Sequence, residues 1–596
     1  MVLPIQDYAL IGDCHTGALV GTDGSIDWLC LPRFDSGSTF AALLGDENHG
    51  SWRVAPRGAT RCSTRRYREG TFILETTWET GTGVVEVIDV MPHGDRRADV
   101  IRRIRGVSGS VAMVQELRVR FDYANSVPWM RQVPEYAVAG EHALLAVAGP
   151  DAVIVRGPRL TAEDHVHRSE FTVIQGETVD IVLTWHPAHR TPPAALSVDE
   201  QIAATERWWR DWADSYTPDG SYDDLVLRSL LVLRALTHED TGGIVAAATT
   251  SLPEELGGVR NWDYRYVWLR DAALTLEALM THGYEQEAHE WRSWLLRAIA
   301  GDPGDMQIMY GLAGERRLTE WTVDSLPGYR GSSPVRVGNA ASTQFQGDVF
   351  GEVMRALEQA RDLGVAEDDF SWSLQIALLA RLEQTIDRLD HGIWEIRGPE
   401  RRFTHSRAMM WAAFDCGVRA VERFGLPGPV DRWRACRDQL RAEVEEHGFD
   451  AAAQSYVQAY GAPEVDASLL QLAQIGFVPA DDPRMLGTVA AIERELLRDG
   501  LVLRYRAESG VDGIAGDEHP FLACSFWLVE QYARSGRLHD AETLMTRLTA
   551  LANDVGLFAE EVDSATGDHM GNTPQAFSHL ALVRAADAIA DARRSA

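Results

Sequence analysis

The fold class of this chain is decided by residues 198–212, which read VDEQIAATERWWRDW. Their apolar side chains recur at helical spacing, and Trp208, Trp209 and Trp212 lie on one side of the predicted helix. Before this segment the sequence alternates apolar and polar residues, as strands do, whereas after it nearly every segment has helical spacing. The sequence therefore predicts a β domain and an α domain joined by a helical connector.

The part before residue 190 has the pattern of strands and tight turns. Gly21-Thr22-Asp23-Gly24 and Gly81-Thr82-Gly83 are typical turn sequences. The second of these lacks the third glycine of a dinucleotide-binding loop, and a strand pattern follows it where such a loop needs a helix. We expect an antiparallel β-sandwich whose strands include residues 85–87, 117–121, 151–156 and 179–185.

The part after the connector repeats the helical pattern many times. Such a series, joined by alternating short and long loops, predicts a toroid of helical hairpins, with the functional residues on the long loops at one rim. The predicted helices are residues 223–237, 271–282, 348–363, 370–389, 406–424, 430–447, 467–474, 485–497, 521–535, 539–552 and 574–593.

The charge balance restricts the partners of the protein. The 596 residues include 57 Lys and Arg against 88 Asp and Glu, a net charge of −31 at pH 7. Nucleic acids and anionic membranes attract basic surfaces, so we expect neither as a partner. A homo-oligomer is compatible with the composition, although no interface can be named from it.

Two further features concern the cellular compartment. The N-terminus has neither the basic nor the apolar region of a secretory signal, which predicts a cytoplasmic protein. The cysteines have no CxxC spacing, so the sequence predicts free thiols and neither zinc ribbons nor a disulfide scaffold. They are Cys14, Cys30, Cys62, Cys416, Cys436 and Cys524.

Three polar and aromatic clusters between predicted helices are candidates for chemistry. They are residues 257–271 (GGVRNWDYRYVWLRD), residues 392–398 (GIWEIRG) and residues 559–563 (AEEVD). The first combines stacking planes with paired charges, as a sugar pocket does. In the second, apolar neighbours would raise the pKa of Glu395, as a general acid requires. The third offers two adjacent acids, Glu560 and Glu561.

A plain structural interpretation exists for each cluster. Asp271 can be only the N-cap of the next helix. By spacing alone, Glu395 is more simply a surface acid paired with Arg397, and Glu560 with Glu561 a solvated turn. The residues by themselves leave these alternatives open.

At these clusters the chain closely resembles glycoside hydrolase family 15, the glucoamylase and bacterial trehalase family, over essentially its whole length. The N-terminal signature comprises residues 5–13 (IQDYALIGD) and 23–35 (DGSIDWLCLPRFD). The other matching segments are residues 249–253, 260–265, 268–271, 338–340, 392–395 and 559–561. The resemblance implies a multidomain protein in which an antiparallel β-sandwich precedes an (α/α)6 barrel. We expect the trehalase-like N-terminal domain at residues 1–195, a helical linker at 196–220 and the catalytic barrel at 221–596.

The resemblance also implies roles for particular residues. Glu395 would be the general acid and Glu560 the base that activates water, in an inverting hydrolysis without metal or other cofactor. The residues that would bind the sugar are Arg270, Asp271, Trp268, Trp262, Arg336, Asn339, Trp394 and Glu561.

The implied activity is release of β-glucose from a non-reducing terminal α-glucosyl unit, with α,α-trehalose as the main prediction for the substrate. The alternatives are glucoamylase-like or α-1,6-glucan hydrolysis of oligosaccharides, and a carbohydrate-binding protein that has lost catalysis. Residues 516–521 (GDEHPF) depart from the family pattern in a loop expected beside the leaving group. The choice of substrate therefore stays open at this point.

Overall fold

The computed structural model describes residues 2–94, 97–138, 140–218, 220–514 and 516–595. Its N-terminal part is an antiparallel sheet structure, as predicted. The strands are β1 (Tyr8–Gly12), β2 (Gly17–Gly21), β3 (Ser25–Cys30), β4 (Ser38–Phe40), β5 (Ser51–Pro56), β6 (Thr64–Tyr67), β7 (Leu74–Thr80), β8 (Gly83–Val90), β9 (Ala98–Arg118), β10 (Trp129–Gln132), β11 (His142–Ala148), β12 (Asp151–Gly157), β13 (Thr161–Glu163), β14 (Val166–Ile174) and β15 (Thr178–Pro187).

The long strand β9 joins the two layers of the sandwich. Its first part pairs with β8 and β15, and its last part pairs with β5 and β14. Between them Gly109 adopts a φ of +64°, and a Cβ there would lie 2.2 Å from the Thr82 carbonyl oxygen. Only glycine fits this bend, which lets one strand pass from one layer to the other.

The predicted strands at residues 85–87, 151–156 and 179–185 lie within β8, β12 and β15. The strand predicted at residues 117–121 is right only for its first two residues, because β9 ends at Arg118. Phe121 instead forms an isolated antiparallel bridge with Ser126, which closes a turn at residues 122–125.

The C-terminal part is a closed ring of helices. After the connector α1 (Val198–Ala213), six inner helices contact one another in the order α3, α5, α7, α9, α11 and α13, and α13 returns to α3. Helices α2, α4, α6, α8, α10 and α12 lie outside them. The helices are α2 (Asp223–Ala235), α3 (Leu269–Thr281), α4 (Glu285–Ala298), α5 (Asp348–Asp362), α6 (Asp369–Gln384), α7 (Thr404–Phe424), α8 (Val430–His447), α9 (Gln471–Gln474), α10 (Pro483–Glu495), α11 (Leu522–Arg534), α12 (Leu538–Thr549) and α13 (Ala576–Ser595).

Burial separates the inner from the outer helices. In α11 every residue from Leu522 to Ala533 is buried, whereas α12 buries only Ala541, Met545 and Leu548. A helix that is covered on all sides carries few charges, and an outer helix has one apolar stripe. The sequence pattern did not predict α4, because its apolar residues are interrupted by charged ones throughout Glu285–Ala298.

Short two-stranded pairs line one rim of the ring and the loops near it. They are β16 (Thr250–Pro253) with β17 (Asn261–Asp263), β18 (Val267–Trp268) with β19 (Met309–Tyr310), β20 (Trp321–Thr322) with β21 (Arg336–Val337), β22 (Phe449–Asp450) with β23 (Ser455–Tyr456), β24 (Leu497–Arg498) with β25 (Leu501–Val502), and β26 (Glu561–Val562) with β27 (His569–Met570).

Most apolar side chains of the described residues are buried in the interior. Five of the six cysteines are buried and Cys62 is half-buried, all as free thiols. Among the described residues, no helix combines the length and the apolar character needed to cross a bilayer.

The sandwich contains a buried ion pair that should be essential to its stability. Arg102 on β9 is fully buried, lies 2.8 Å from Asp89, and donates to the carbonyls of Trp52 and Gly24. Arg102→Met leaves Asp89 buried without its cation, and we expect a loss of about 3–5 kcal/mol in the free energy of unfolding. Denaturant unfolding followed by tryptophan fluorescence measures it. Arg105→Met on the same strand is the control, because Arg105 is exposed and should cost less than about 1 kcal/mol. Equal losses would contradict the role of burial.

Candidate active site

A cavity opens at one rim of the helical ring. Its walls come from segments that directly precede or begin the inner helices α3, α5, α7, α11 and α13. The long loops at one rim thus carry the polar and aromatic clusters, as the sequence predicted. The lining residues are Ala246, Glu254, Arg260, Trp262, Tyr264, Trp268, Arg270, Asp271, Asn339, Ala341, Ile393, Trp394, Glu395, Arg397, Arg504, Tyr505, Ile514, Phe521, Gln575 and Phe577.

The first turn of α3 places an arginine and an aspartate at the cavity. The N-cap of α3 is Trp268, so Asp271 is not a cap, and the plain interpretation of this residue is wrong. Burial raises the pKa of Asp271, although Arg270 opposes the shift. Oδ2 of Asp271 is buried 3.4 Å from Arg270 Nη2, in ion-pair contact, and has no hydrogen-bond partner among the described residues. An acceptor left unsatisfied in a cavity wall is suited to a ligand hydroxyl.

Glu395 lies in the turn before α7, with a φ of +57°. This left-handed conformation is uncommon for a residue with a side chain and is typical of functional sites. Its Oε1 accepts a 2.5 Å hydrogen bond from Trp268 Nε1 and lies 3.6 Å from Arg270 Nη2. Arg397 pairs instead with Glu320, so the interpretation of Glu395 as a surface partner of Arg397 is wrong. Burial raises the pKa of Glu395, and Arg270 and Trp268 partly oppose this.

Glu560 lies behind the wall that Tyr264 forms. The Tyr264 hydroxyl donates to Glu560 Oε1 over 2.7 Å, and the Asn572 amide donates to Oε2 over 3.4 Å. The rings of Tyr264 and Trp268 are 5.4 Å apart and nearly perpendicular. Glu560 and Glu395 are therefore connected through two aromatic side chains of one segment. Burial raises the pKa of Glu560, helped by Glu254 and opposed by Arg504.

Arg504 is the centre of a buried acidic cluster next to Glu560. Its Nη2 lies 2.9 Å from Glu254, 2.9 Å from Glu518 and 3.0 Å from Glu561. Burial raises the pKa values of Glu518 and Glu561, and Arg504 opposes both shifts. Three carboxylates of this kind are possible metal ligands, but here a guanidinium group already balances their charge. Glu560 and Glu561 are thus fully buried, and the interpretation as a solvated turn is wrong.

Seven of the ten predicted site residues line the cavity: Glu395, Arg270, Asp271, Trp268, Trp262, Asn339 and Trp394. Glu560 and Glu561 lie behind it. The structure corrects the prediction that Arg336 lines the cavity. Its guanidinium donates to the carbonyls of Val259 and Asn261 and lies 4.5 Å from the Trp262 ring. It supports Trp262 and is outside the lining.

The sequence did not single out several residues of the site. Tyr264 stands inside the first cluster, but that cluster does not indicate its contact with Glu560, which is 296 positions away. Arg504 and Glu254 lie in segments without a dense polar pattern, and only the fold brings them together. Residues 516–521 border the site as expected, since Phe521 lines the cavity and Glu518 pairs with Arg504.

Comparison with known proteins assigns the family. The model described as "Glycosyl hydrolases family 15" matches residues 220–587, and that described as "Trehalase-like, N-terminal" matches residues 1–201. The chain belongs to glycoside hydrolase family 15. It is a glycoside hydrolase, and its substrate is a carbohydrate.

Relatives of this family 15 hydrolase match over nearly their full length. A trehalase of Mycolicibacterium smegmatis is 38% identical, with 98% of this chain and 90% of the relative covered. A trehalase of Thermoplasma volcanium is 33% identical, with 99% and 94% covered. A bacterial glucoamylase complexed with acarbose has a TM-score of 0.73 at 13% identity and covers 99% of this chain and 94% of its own. This last match supports the β-sandwich and (α/α)6-barrel fold.

The acid Glu352 beneath Arg270 should make stability depend on pH. Burial and the neighbouring Asp348 raise the pKa of Glu352 to about 8. Between about pH 4.5 and pH 8 the unfolded chain has lost this proton and the folded chain keeps it, so stability falls as pH rises. We expect Glu352→Gln to match the wild type at pH 4.5 and to exceed it by more than about 1 kcal/mol at pH 8.5. Denaturant unfolding at both pH values measures this.

Glu358 on the same helix is the matched control. Its pKa is lowered despite burial, because it pairs with Arg419. Glu358→Gln should therefore destabilise the protein by about 1–3 kcal/mol at pH 8.5. A loss of stability in Glu352→Gln at that pH would refute the raised pKa.

Proposed function

We propose that this hydrolase cleaves α,α-trehalose with inversion, with Glu395 as general acid and Glu560 as general base. The observation that carries the proposal is the connection, through Trp268 and Tyr264, of one carboxylate in the cavity wall with a second, buried carboxylate directly behind that wall. The names of the relatives support the substrate. We also propose that residues 1–195, 196–220 and 221–596 are the sandwich, the linker and the catalytic barrel.

The surroundings of Glu395 support its role as the acid. A carboxylic acid must hold its proton at neutral pH to donate it to the glycosidic oxygen, and burial favours that protonated form. Trp268 occupies Oε1, which leaves Oε2 to carry the proton. Arg270 donates to the carbonyl of Ile393 over 2.9 Å and so fixes the turn that presents Glu395.

The surroundings of Glu560 support its role as the base. A base must be ionised to accept a proton from water. Burial and Glu254 raise the pKa of Glu560, whereas Arg504 and the Tyr264 hydroxyl favour the carboxylate. The pKa values of Glu518 and Glu561 are also raised, so a proton shared within this cluster can reside on either of those carboxyl groups and leave Glu560 ionised. An inverting reaction needs about 6.5–9.5 Å between the two carboxyl groups, to hold a water molecule at the sugar.

Arg270, Asp271 and Asn339 are suited to bind the terminal glucose. Asp271 offers Oδ2, which is ion-paired with Arg270 but accepts no hydrogen bond, to a hydroxyl. The Asn339 side-chain oxygen accepts from Ala341, which leaves its amide group as a donor toward the cavity. Trp268 and Trp394 supply apolar planes, and Trp394 is held by a 2.9 Å bond to Asp466.

The stereochemistry of the products tests the substrate and the mechanism together. Water attacks the anomeric carbon from the face opposite the bond that breaks, so trehalose gives one β-glucose and one α-glucose. We expect a 1:1 ratio of the two anomers by NMR before mutarotation, and slower release from maltose, maltotriose and isomaltotriose. Two α-glucose molecules would refute inversion. Preference for the oligosaccharides would make the enzyme a glucoamylase-like or α-1,6-glucan hydrolase, and binding without turnover a sugar-binding protein.

The two proposed catalytic carboxylates should each be indispensable. We expect Glu395→Gln and Glu560→Gln to lower kcat by about 10²- to 10⁴-fold with little change in the thermal unfolding midpoint, because proton transfer contributes about that much. Glu446→Gln on the outer helix α8 is the control, since Glu446 is exposed and distant from the cavity. Steady-state kinetics on trehalose measures the effect. A kcat within a factor of two of the wild type would remove that residue from the mechanism.

A further inference from the structure

A second cluster of reactive side chains lies where the sandwich, the connector and the barrel meet. Cys14 is in the turn between β1 and β2, His93 follows β8, and Glu239 follows α2. One ligand atom from each side chain lies within 4.8 Å of the other two. Cys14 and His93 are 79 positions apart and His93 and Glu239 are 146 positions apart, so no sequence motif indicates the cluster.

The backbone holds these three residues in place from all three parts of the protein. Cys14 has a φ of +63°, and its carbonyl accepts a 2.8 Å hydrogen bond from the Glu239 amide. The His93 amide donates to Thr205 Oγ1 on α1 over 3.1 Å. The imidazole of His93 stacks on Trp208 of α1, with ring centroids 3.5 Å apart.

The imidazole has an unsatisfied nitrogen that faces the other two residues. The His93 side chain is 8% exposed, and its Nε2 has no hydrogen-bond partner among the described residues. Glu239 Oε2 lies 3.8 Å from this nitrogen, which is within ion-pair range but beyond hydrogen-bonding distance. Cys14 is fully buried. A buried polar atom without a hydrogen-bond partner requires an explanation, and a ligand between the side chains would supply one.

We propose that Cys14, His93 and Glu239 bind one Zn²⁺ ion that links the sandwich to the barrel. Thiolate, imidazole and carboxylate are the protein ligands of zinc, and three of them leave a fourth tetrahedral position for water. The three ligand atoms lie within 4.8 Å of one another. They need to approach one another by about 1 Å before a single ion between them can reach all three, at Zn–S and Zn–N bond lengths near 2.3 and 2.0 Å. Binding breaks the S–H bond of Cys14, forms the Zn–S bond and releases the proton to solvent.

Arg234 beside the cluster is compatible with this site. Its guanidinium donates to Oε2 of Glu239, the same oxygen that lies 3.8 Å from His93 Nε2, so the carboxylate must turn its Oε1 toward the metal to keep the contact with Arg234. A ligating carboxylate that is also hydrogen-bonded is the usual arrangement at metal sites. The acids Glu254, Glu518 and Glu561 differ, because Arg504 lies 2.9–3.0 Å from each of them and takes the place that a cation would occupy.

Cobalt provides a direct test, because Co²⁺ bound by a thiolate has a near-ultraviolet charge-transfer band that oxygen ligands do not produce. The full chain, stripped with a chelator and titrated with Co²⁺, should show this band at one equivalent, and Zn²⁺ should abolish it. Cys14→Ser should lose the band. Cys62→Ser is the matched control, because Cys62 is the half-buried thiol of the same domain, and it should keep the band.

A second variant protects the test against misfolding of Cys14→Ser. His93→Gln keeps the thiol, so it should retain the band but bind Zn²⁺ at least about tenfold more weakly in competition with a chromophoric chelator. The thermal unfolding midpoint should rise with Zn²⁺ in the wild type and not in Cys14→Ser. No band in the wild type, or a band that survives Cys14→Ser, would overturn the proposal. Because every readout is independent of glucose release, the outcome does not depend on the proposed function.

Discussion

Among the described residues, the six inner helices of the barrel bury most of their side chains, so each must be enclosed by two inner neighbours and by the outer layer. Only a closed ring meets this requirement, and α13 completes it by packing on α2, α3 and α11. Closure brings segments from residue 246 to residue 577 to one rim. The cavity and all its side chains are a consequence of that closure, since no single segment contributes more than a part of the wall.

Buried charge is the second constraint, and two arginines satisfy it. Arg270 faces Asp271 and Glu395, and Arg504 faces the cluster that contains Glu560. Without these cations the carboxylates would lie unpaired in a medium of low polarity, at a cost of several kcal/mol each. Each arginine also lowers the pKa of the carboxylate near it, so the same contacts that stabilise the fold adjust the acids of the site.

The sandwich domain supports the segment that carries much of the site. Arg265 is fully buried and pairs with Asp263, and its guanidinium also donates to the Tyr123 hydroxyl and the Ser36 carbonyl of the sandwich. Trp28 of β3 donates to the carbonyl of Ala248. The residues from Tyr264 to Asp271 are thus held between the two domains. The proposed zinc site lies at another contact of the same two domains, where it would strengthen their attachment.

The sequence by itself determined the change from strands to helices and nearly every helix, and seven of the ten residues that it predicts for the site line the cavity. These features are local, because periodicity, turn residues and short motifs act over a few positions. Tertiary structure decided the rest. It showed that Arg336 lies behind Trp262, that Tyr264 reaches Glu560, and that Arg504 gathers acids from three distant segments. Such contacts depend on which loops the closed ring brings together, and the spacing of residues along the chain does not predict which loops these are.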